Sequence, residues 1–166
     1  SSTNKKMIIY VISQNQNTHL EKTNGTVKNN LKTWINKNKM VSDKIEIRDT
    51  KIINIGFDYS FTVESNYDYL TVLALVNTKL QQKFEEKFYI GEPFYITDVF
   101  KTVNRVDGVI DTIKVEPKVF SGGEYSNINV NVDELKSPDG TYLKTPKNCI
   151  LEIKNFSSVI KGTVIQ

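Results

Sequence analysis

Hydrophobic and polar residues alternate most regularly between Ile53 and Val63. Apolar or aromatic side chains occupy every odd position of this stretch, and mostly polar side chains lie between them. A period of two is typical of a β-strand with one buried face. Gly56 interrupts the polar positions, and we expect a bulge or a close approach of another backbone there. The pattern therefore predicts one long, half-buried strand.

Shorter patterns predict further strands before and after this one. The continuous apolar run Met7–Ile12 predicts a central strand. Apolar and charged residues alternate over residues 45–48, which predicts the first strand of a hairpin. Asp49-Thr50-Lys51 then predicts the hairpin turn into the long strand. After an Asp107-Gly108 turn, Val109–Val115 predicts another strand.

The first helix is predicted from Thr26 onward. Its apolar residues fall at i, i+4, i+7 and i+8, which places them on one helical face: Val27, Leu31, Trp34 and Ile35. We interpret this face as buried and Trp34 as a core residue.

A second, longer helix is predicted after a cap at Ser65-Asn66. Its apolar face comprises Leu70, Leu73, Leu80, Phe84 and Phe88. Gly91 and Pro93 indicate its end, because glycine accepts a positive φ and proline cannot continue a helix. Thr97 as N-cap, with Asp98 in the first turn, predicts a short third helix.

The order strand, helix, strand, strand, helix, short helix, strand predicts an α+β fold. We expect a sheet of about four mainly antiparallel strands with two long helices on one face, in a ferredoxin-like order. The character changes after Pro117, where flexible and turn-rich segments precede a final strand at 158–165. We therefore divide the chain into an α+β domain, residues 1–117, and a small β-rich extension, residues 118–166. The extension packs either on its own domain or on a neighbouring subunit.

Composition argues against nucleic-acid and membrane partners. The net charge is only +3, and Arg48 and Arg105 are the two arginines among 22 basic residues. Arginine provides much of the specific recognition of phosphates and bases, so we predict no nucleic-acid partner. The longest apolar runs are far shorter than a membrane span, so we predict no membrane partner.

Candidate catalytic groups are sparse, and we predict no enzymatic activity, metal or cofactor. Cys149 is the single cysteine and lies in a strand-like run, which predicts a buried thiol and allows no disulfide within the chain. His19, the single histidine, lies in a polar loop without a neighbouring nucleophile. Residues 121–123 lack the lysine and helix that a phosphate-binding loop requires. Three carboxylate pairs stand close in sequence: Asp43 with Glu46, Glu85 with Glu86, and Asp107 with Asp111.

The stretch from Lys87 to Val115 resembles a known family. Its helix-break phrase contains Phe88, Ile90, Gly91, Phe94, Ile96 and Val99, and its turn phrase contains Val106, Gly108, Val109 and Ile113. In this order the residues resemble the C-terminal part of the baseplate wedge subunit of contractile-tailed phages, in the baseplate J-like family. The lead-in Lys39–Ile45, followed by a long alternating strand, is similar as well. The resemblance covers roughly residues 27–116.

The resemblance implies a non-enzymatic virion protein of the tail baseplate, assembled in the host cytoplasm. It implies association with other copies of the chain, as a homodimer or ring contact, and with other wedge proteins in a sixfold baseplate. From the apolar alternation after Pro117, we predict that residues 120–132 and 150–165 contribute to a subunit interface. Its candidate residues are Phe120, Tyr125, Ile128, Val130, Val132, Ile153, Val159 and Ile160.

Two other function classes remain open. A carbohydrate- or host-surface-binding module of a larger protein would need exposed aromatic side chains, for which Tyr125, Tyr142 and Phe156 are the candidates. A small hydrolase would need two carboxylates that face each other across a cleft.

Overall fold

The computed structural model describes residues 5–38 and 44–166. Contacts divide the chain into an N-terminal unit, Ser1–Lys51, and a C-terminal unit, Ile52–Gln166. Both contain helices and strands, so the α+β class is confirmed. The division between the two units lies at Lys51, at the start of the long strand, whereas the sequence suggested a change of character after Pro117. In the described part of the chain, no helix is long and apolar enough to cross a membrane.

The N-terminal unit is a strand–helix–strand arrangement with a small hairpin. Its elements are β1 (Lys6–Val11), β2 (Ser13–Gln14), β3 (Leu20–Glu21), α1 (Gly25–Asn38) and β4 (Lys44–Asp49). β1 and β4 pair in parallel, and β2 pairs antiparallel with β3. The helix α1 connects the two parallel strands, as parallel pairing requires a crossover.

The C-terminal unit contains ten further elements. They are β5 (Lys51–Val63), α2 (Tyr69–Lys83), β6 (Phe94–Tyr95), α3 (Ile96–Asn104), β7 (Val109–Phe120), α4 (Val132–Leu135), β8 (Tyr142–Leu143), β9 (Cys149–Glu152), α5 (Phe156–Val159) and β10 (Ile160–Ile165). The main sheet has the order β10-β5-β7, and β9 also pairs with β5. β10 runs parallel to β5, whereas β7 runs antiparallel to it.

The long strand predicted from period-two alternation is confirmed as β5, but Asn54 and Gly56 are buried too, so both faces are buried over residues 53–57 and the predicted half-buried pattern begins only at Asp58. Its odd-numbered apolar residues form the centre of the hydrophobic core, each at most 2% exposed: Ile53, Ile55, Phe57, Tyr59 and Phe61. Gly56 is a point of close approach, because a Cβ there would lie 2.8 Å from Phe120 Cε2 and against the Val159 carbonyl oxygen. Phe57 stacks on Phe94 with ring centroids 5.7 Å apart.

The specific sheet arrangement predicted from the sequence is not confirmed. β1 and β4 form their own two-stranded sheet, and Met7 and Ile8 remain 48% and 39% exposed. The segment Asp49–Lys51 connects two sheets and does not close a hairpin between paired strands. Local alternation identifies strands but carries no information about which strands pair. The strands of the main sheet are β5, β7, β9 and β10.

The predicted helices exist, but two of their faces were misassigned. α1 buries none of its residues, and Trp34 is 64% exposed, so its interpretation as a core residue is wrong. α2 buries Val72, Val76 and Leu80, while Leu70 is 59% exposed. The three buried residues recur at a strict spacing of four, which places them on one stripe of the helix.

Helix ends also differ from the prediction. α2 is capped by Asp68 rather than by Ser65-Asn66, and it ends at Lys83 rather than near Gly91. Phe84 and Phe88 still pack against the core from the following loop. Gly91 has the expected positive φ of 80°, but its amide donates to the carbonyl oxygen of Cys149. α3 begins at Ile96 after Tyr95, so Thr97 lies inside the helix.

Candidate interaction surfaces

The segments predicted to reach a neighbour pack within the C-terminal unit. Val159 and Ile160 are 1% and 4% exposed and belong to its core. The other six candidates are half-buried side chains packed against that core: Phe120, Tyr125, Ile128, Val130, Val132 and Ile153. A contact of these residues with another subunit stays a prediction, and it would involve the partly exposed members.

Ser126 anchors the 120–132 segment to the long strand. Its amide donates to Asn54 Oδ1 at 2.8 Å, and its hydroxyl donates to the Ile52 carbonyl oxygen at 2.5 Å. The ring centroids of Phe120 and Tyr125 lie 5.4 Å apart. Burial raises the pKa of the Tyr125 phenol, and the nearby Glu124 carboxylate adds to the effect. These contacts hold the segment against the chain's own β5.

Two bulges expose isoleucines on β7, the strand at one side of the main sheet. Its register against β5 skips Ile113 between Lys114 and Thr112, and it skips Ile110 between Asp111 and Val109. Bulges re-aim side chains at sheet edges. Ile110 is 61% exposed and Ile113 is 53% exposed.

Asn104, the last residue of α3, holds the backbone between these two isoleucines. Its Oδ1 accepts a 2.9 Å hydrogen bond from the Thr112 amide and a 2.6 Å hydrogen bond from the Thr112 hydroxyl. Thr112 itself is only 5% exposed. The bulged segment is therefore fixed from the core side, and its apolar side chains face solvent.

The N-terminal unit exposes apolar side chains on both of its layers. Val27 and Trp34 of α1 are 49% and 64% exposed, and Met7 of β1 is 48% exposed. Lys28 Nζ lies 3.0 Å from Asp49 Oδ1 and joins α1 to the end of β4. Burial alone would raise the pKa of Asp49, but hydrogen bonds from Lys28 and Lys22 lower it. The helix is thus held in place while its exposed apolar residues remain available for contact.

Charged residues lie across the β1–β4 pair of the same unit. Arg48 Nε donates to Glu46 Oε1 at 2.8 Å, and Lys6 Nζ forms an ion pair with the same carboxylate. The hydrogen bonds from Arg48 and Lys6 lower the pKa of Glu46 to about 2. This cluster stays charged across the physiological range.

The candidate catalytic carboxylates are mostly exposed, and His19 and Cys149 lie in different units. Glu85, Glu86, Asp107 and Asp111 are exposed, and Asp43 lies outside the described residues. The lead-in 39–43 of the family resemblance lies outside them as well. His19 sits in the turn between β2 and β3, and Cys149 is buried at the start of β9, as predicted. Among residues 5–38 and 44–166, no cluster of His, Cys, Asp and Glu has a metal-binding arrangement.

The aromatic candidates for a carbohydrate surface lie in different places. Tyr142 pairs with Tyr95 at a centroid distance of 5.8 Å, and Tyr95 is 47% exposed. Phe156 is half-buried at the start of α5. Sequence reasoning missed Tyr95, because its exposure depends on the short pairing of β6 with β8.

Comparison with known proteins leaves the family open. No protein-family model matches this chain, and no match emerges among curated proteins.

Proposed function

We propose that this chain is a structural segment of a phage tail baseplate wedge that mediates subunit association in a sixfold assembly. Its partners would be further copies of the chain and other wedge proteins, in the baseplate of the virion. It would act through surfaces and carry no catalytic site. The proposal starts from the resemblance of residues 27–116 to the baseplate J-like family.

The local structure of the resembling residues is consistent with that starting point. Gly108 has a φ of 93° and lies under the Tyr67 ring, so a side chain there would be strained and obstructed. Phe94, Val99 and Val106 are at most 9% exposed. Most of the shared phrase thus occupies turn and core positions, which a fold family would retain for structural reasons, whereas Ile90 and Ile113 are 39% and 53% exposed.

The exposed apolar face of α1 is the observation that most supports an assembly role. Trp34 and Val27 lie seven residues apart on one face of the helix, and both are about half exposed or more. Tryptophan is enriched at protein interfaces and often anchors them. The two-stranded parallel sheet beside this helix is also unusual, since parallel sheets in proteins are nearly always covered on both faces. A partner seated on this unit would cover these residues.

Tryptophan fluorescence tests the proposal directly, because Trp34 is the single tryptophan of the chain. We expect its emission maximum to move to shorter wavelength as protein concentration rises, in step with an increase in sedimentation coefficient. In Val27→Ser, the emission shift and the rise in sedimentation coefficient should both occur at higher protein concentration. Leu70→Ser, at a similarly exposed leucine of α2, is the matched control and should leave both unchanged.

Two results would contradict the proposal. One is a chain that remains monomeric at every concentration, with constant Trp34 emission, and whose emission stays constant when candidate wedge proteins are added. The other is association that Val27→Ser and Leu70→Ser weaken equally.

The pair of Tyr95 and Tyr142 favours a second candidate function, a carbohydrate- or host-surface-binding module. Aromatic faces that remain partly exposed can stack on sugar rings, and Tyr95 has the required exposure. A glycan-array screen of the chain beside its Tyr95→Ala variant tests this function. Binding that disappears in the variant would favour the carbohydrate module over the wedge.

A further inference from the structure

A groove of about 620 Å³ runs between α2 and α3 on the C-terminal unit. Leu75, Lys79 and Lys83 line it from α2, and Thr102, Arg105 and Asp107 line it from α3 and the turn that follows. Residues 75, 79 and 83 recur at a spacing of four, so they lie along one face of α2. The groove is distinct from the exposed face of α1 and from the bulged isoleucines of β7.

The lining carries an excess of positive charge. Three cations face one carboxylate, and the Lys83 ammonium lies 3.7 Å from Asp98 Oδ2, which neutralises part of its charge. Within the described ranges, neither Lys79 nor Arg105 takes part in an ion pair. These two side chains therefore present unneutralised positive charge to whatever enters the groove.

The groove also has an apolar component. Leu75 is 46% exposed although it lies beside the helix–helix contact, and Val106, which is buried, contributes to the same lining. The long alkyl stems of Lys79 and Lys83 add further apolar surface beneath their charged ends. A ligand would bind this groove most tightly if it combined an aliphatic side chain with carboxylates.

We propose that this groove binds an acidic peptide segment of a partner protein. The segment inserts an aliphatic side chain against Leu75 and places carboxylates near Lys79 and Arg105. Complementary charges speed the association of the two proteins and fix the position of the peptide in the groove. The apolar contact contributes the buried hydrophobic surface. Nucleic acid fits less well, since a single arginine and an aliphatic lining offer neither the phosphate contacts nor the aromatic stacking that it uses.

The test uses the full chain and a fluorescein-labelled synthetic peptide that carries glutamate and leucine on one helical face. We expect anisotropy to show saturable binding that weakens as salt is raised, because exposed charge pairs are screened. Lys79→Glu should raise the Kd about tenfold, which corresponds to about 1.4 kcal/mol. Lys144→Glu makes the same charge change at an exposed lysine outside the groove and should leave the Kd unchanged.

A second pair of variants tests the apolar contact. Leu75→Ala should raise the Kd about fivefold, as expected for the loss of a partly buried aliphatic contact. Leu70→Ala removes another exposed leucine of the same helix, 59% exposed against 46% for Leu75, that lies outside the groove, and it should bind the peptide like the unmodified chain. All four substitutions are at exposed positions, so thermal melts should confirm that each variant folds.

Three results would overturn the proposal. The first is equal affinity of Lys79→Glu and Lys144→Glu. The second is equal affinity of Leu75→Ala and Leu70→Ala. The third is tighter binding of a single-stranded oligonucleotide than of the peptide, which would assign the groove to phosphates.

Discussion

The Asn54 amide donates a 2.9 Å hydrogen bond to Glu152 Oε1, and both residues are at most 2% exposed. Asn54 Oδ1 also accepts the Ser126 amide, and Lys87 Nζ lies 3.4 Å from Glu152 Oε2. One side chain of β5 therefore connects β9 to the 120–132 segment. A buried carboxylate is tolerated only when hydrogen bonds and an opposite charge compensate its loss of hydration.

Replacing Asn54 should destabilise the C-terminal unit strongly. Asn54→Leu removes a donor to the buried Glu152 carboxylate and the acceptor of the Ser126 amide, so we expect the free energy of unfolding to fall by about 3 kcal/mol. Chemical denaturation measures the change. Asn127→Leu, at an exposed position nearby, is the control. Equal effects of the two substitutions would show that the Asn54 contacts contribute little.

Asp68 should matter for α2, whereas Ser65 should not. Asp68 Oδ2 accepts the Thr71 amide at 3.0 Å and the Thr71 hydroxyl at 2.7 Å, and these hydrogen bonds lower its pKa. Asp68→Ala should therefore lower the Tm at neutral pH, because it removes the N-cap. Ser65→Ala, at the cap that the sequence suggested, should leave the Tm unchanged.

The effect of Asp68 should also depend on pH. Because its folded-state pKa lies below the ordinary value of 3.8, its contribution is complete above that value and is lost as pH falls through the folded pKa. The Tm difference between Asp68→Ala and the unmodified chain should therefore shrink below about pH 4. A difference that is constant from neutral to acidic pH would argue against the charged cap.

Gly56→Ala should weaken the packing between β5 and the segment around α5. The added Cβ would meet the Val159 carbonyl oxygen, which is backbone, and the Phe120 ring, so the strand must shift. We expect a loss of about 2 kcal/mol in the free energy of unfolding, the usual size of an overpacking effect. Gly25→Ala is the glycine control, since nothing lies within 4 Å of its Cβ position. A neutral Gly56→Ala would mean that this approach is looser than the structure shows.

Cys149 should react slowly with thiol reagents in the native chain. Its side chain is buried at the start of β9, a strand that pairs with the chain's own β5. We expect its reaction with Ellman's reagent to follow unfolding and to become rapid in denaturant. Fast reaction of the native monomer would instead indicate that β9 does not pack stably on its own chain. It would favour the alternative that the segment 150–165 packs on a neighbouring subunit.

The bulged isoleucines of β7 should be dispensable for stability. Ile110→Ser together with Ile113→Ser changes side chains that face solvent, so we expect the free energy of unfolding to stay within about 0.5 kcal/mol. If this surface contributes to assembly, the double variant should sediment as smaller species than the unmodified chain at the same concentration. Thr112→Val, which loses the hydroxyl bond to Asn104, should destabilise the fold and serves as the contrasting variant.

The sequence predicted those features that arise from neighbouring residues. β5 was predictable because apolar residues occupy every odd position of its sequence, and the turn before β7 was predictable from the Asp107-Gly108 pair, whose glycine has a positive φ. Trp34 shows the limit of such reasoning, since helical spacing defines an apolar face without indicating what covers it. Leu70 and Val72 show a second limit, because two overlapping apolar stripes on one helix compete and packing selects between them.

The pairing of strands that are distant in sequence could not be predicted for a similar reason. Ile160–Ile165 has the composition of a strand, but nothing local indicates that it lies beside residues 57–62. The same holds for the basic groove, because Lys79 and Arg105 become neighbours only when α2 packs beside α3.

The parallel pairing of β10 with β5 has a consequence for synthesis on the ribosome. The side of β5 that receives Ile160–Ile165 must wait until the ribosome has made the rest of the C-terminal unit. Until then one edge of the aromatic-rich strand β5 stays unpaired in the nascent chain, and an open edge of this kind invites pairing with other chains. A ribosome that stalls between β7 and β10 would therefore hold a nascent chain with this edge exposed, and rapid translation of this interval would shorten the exposure.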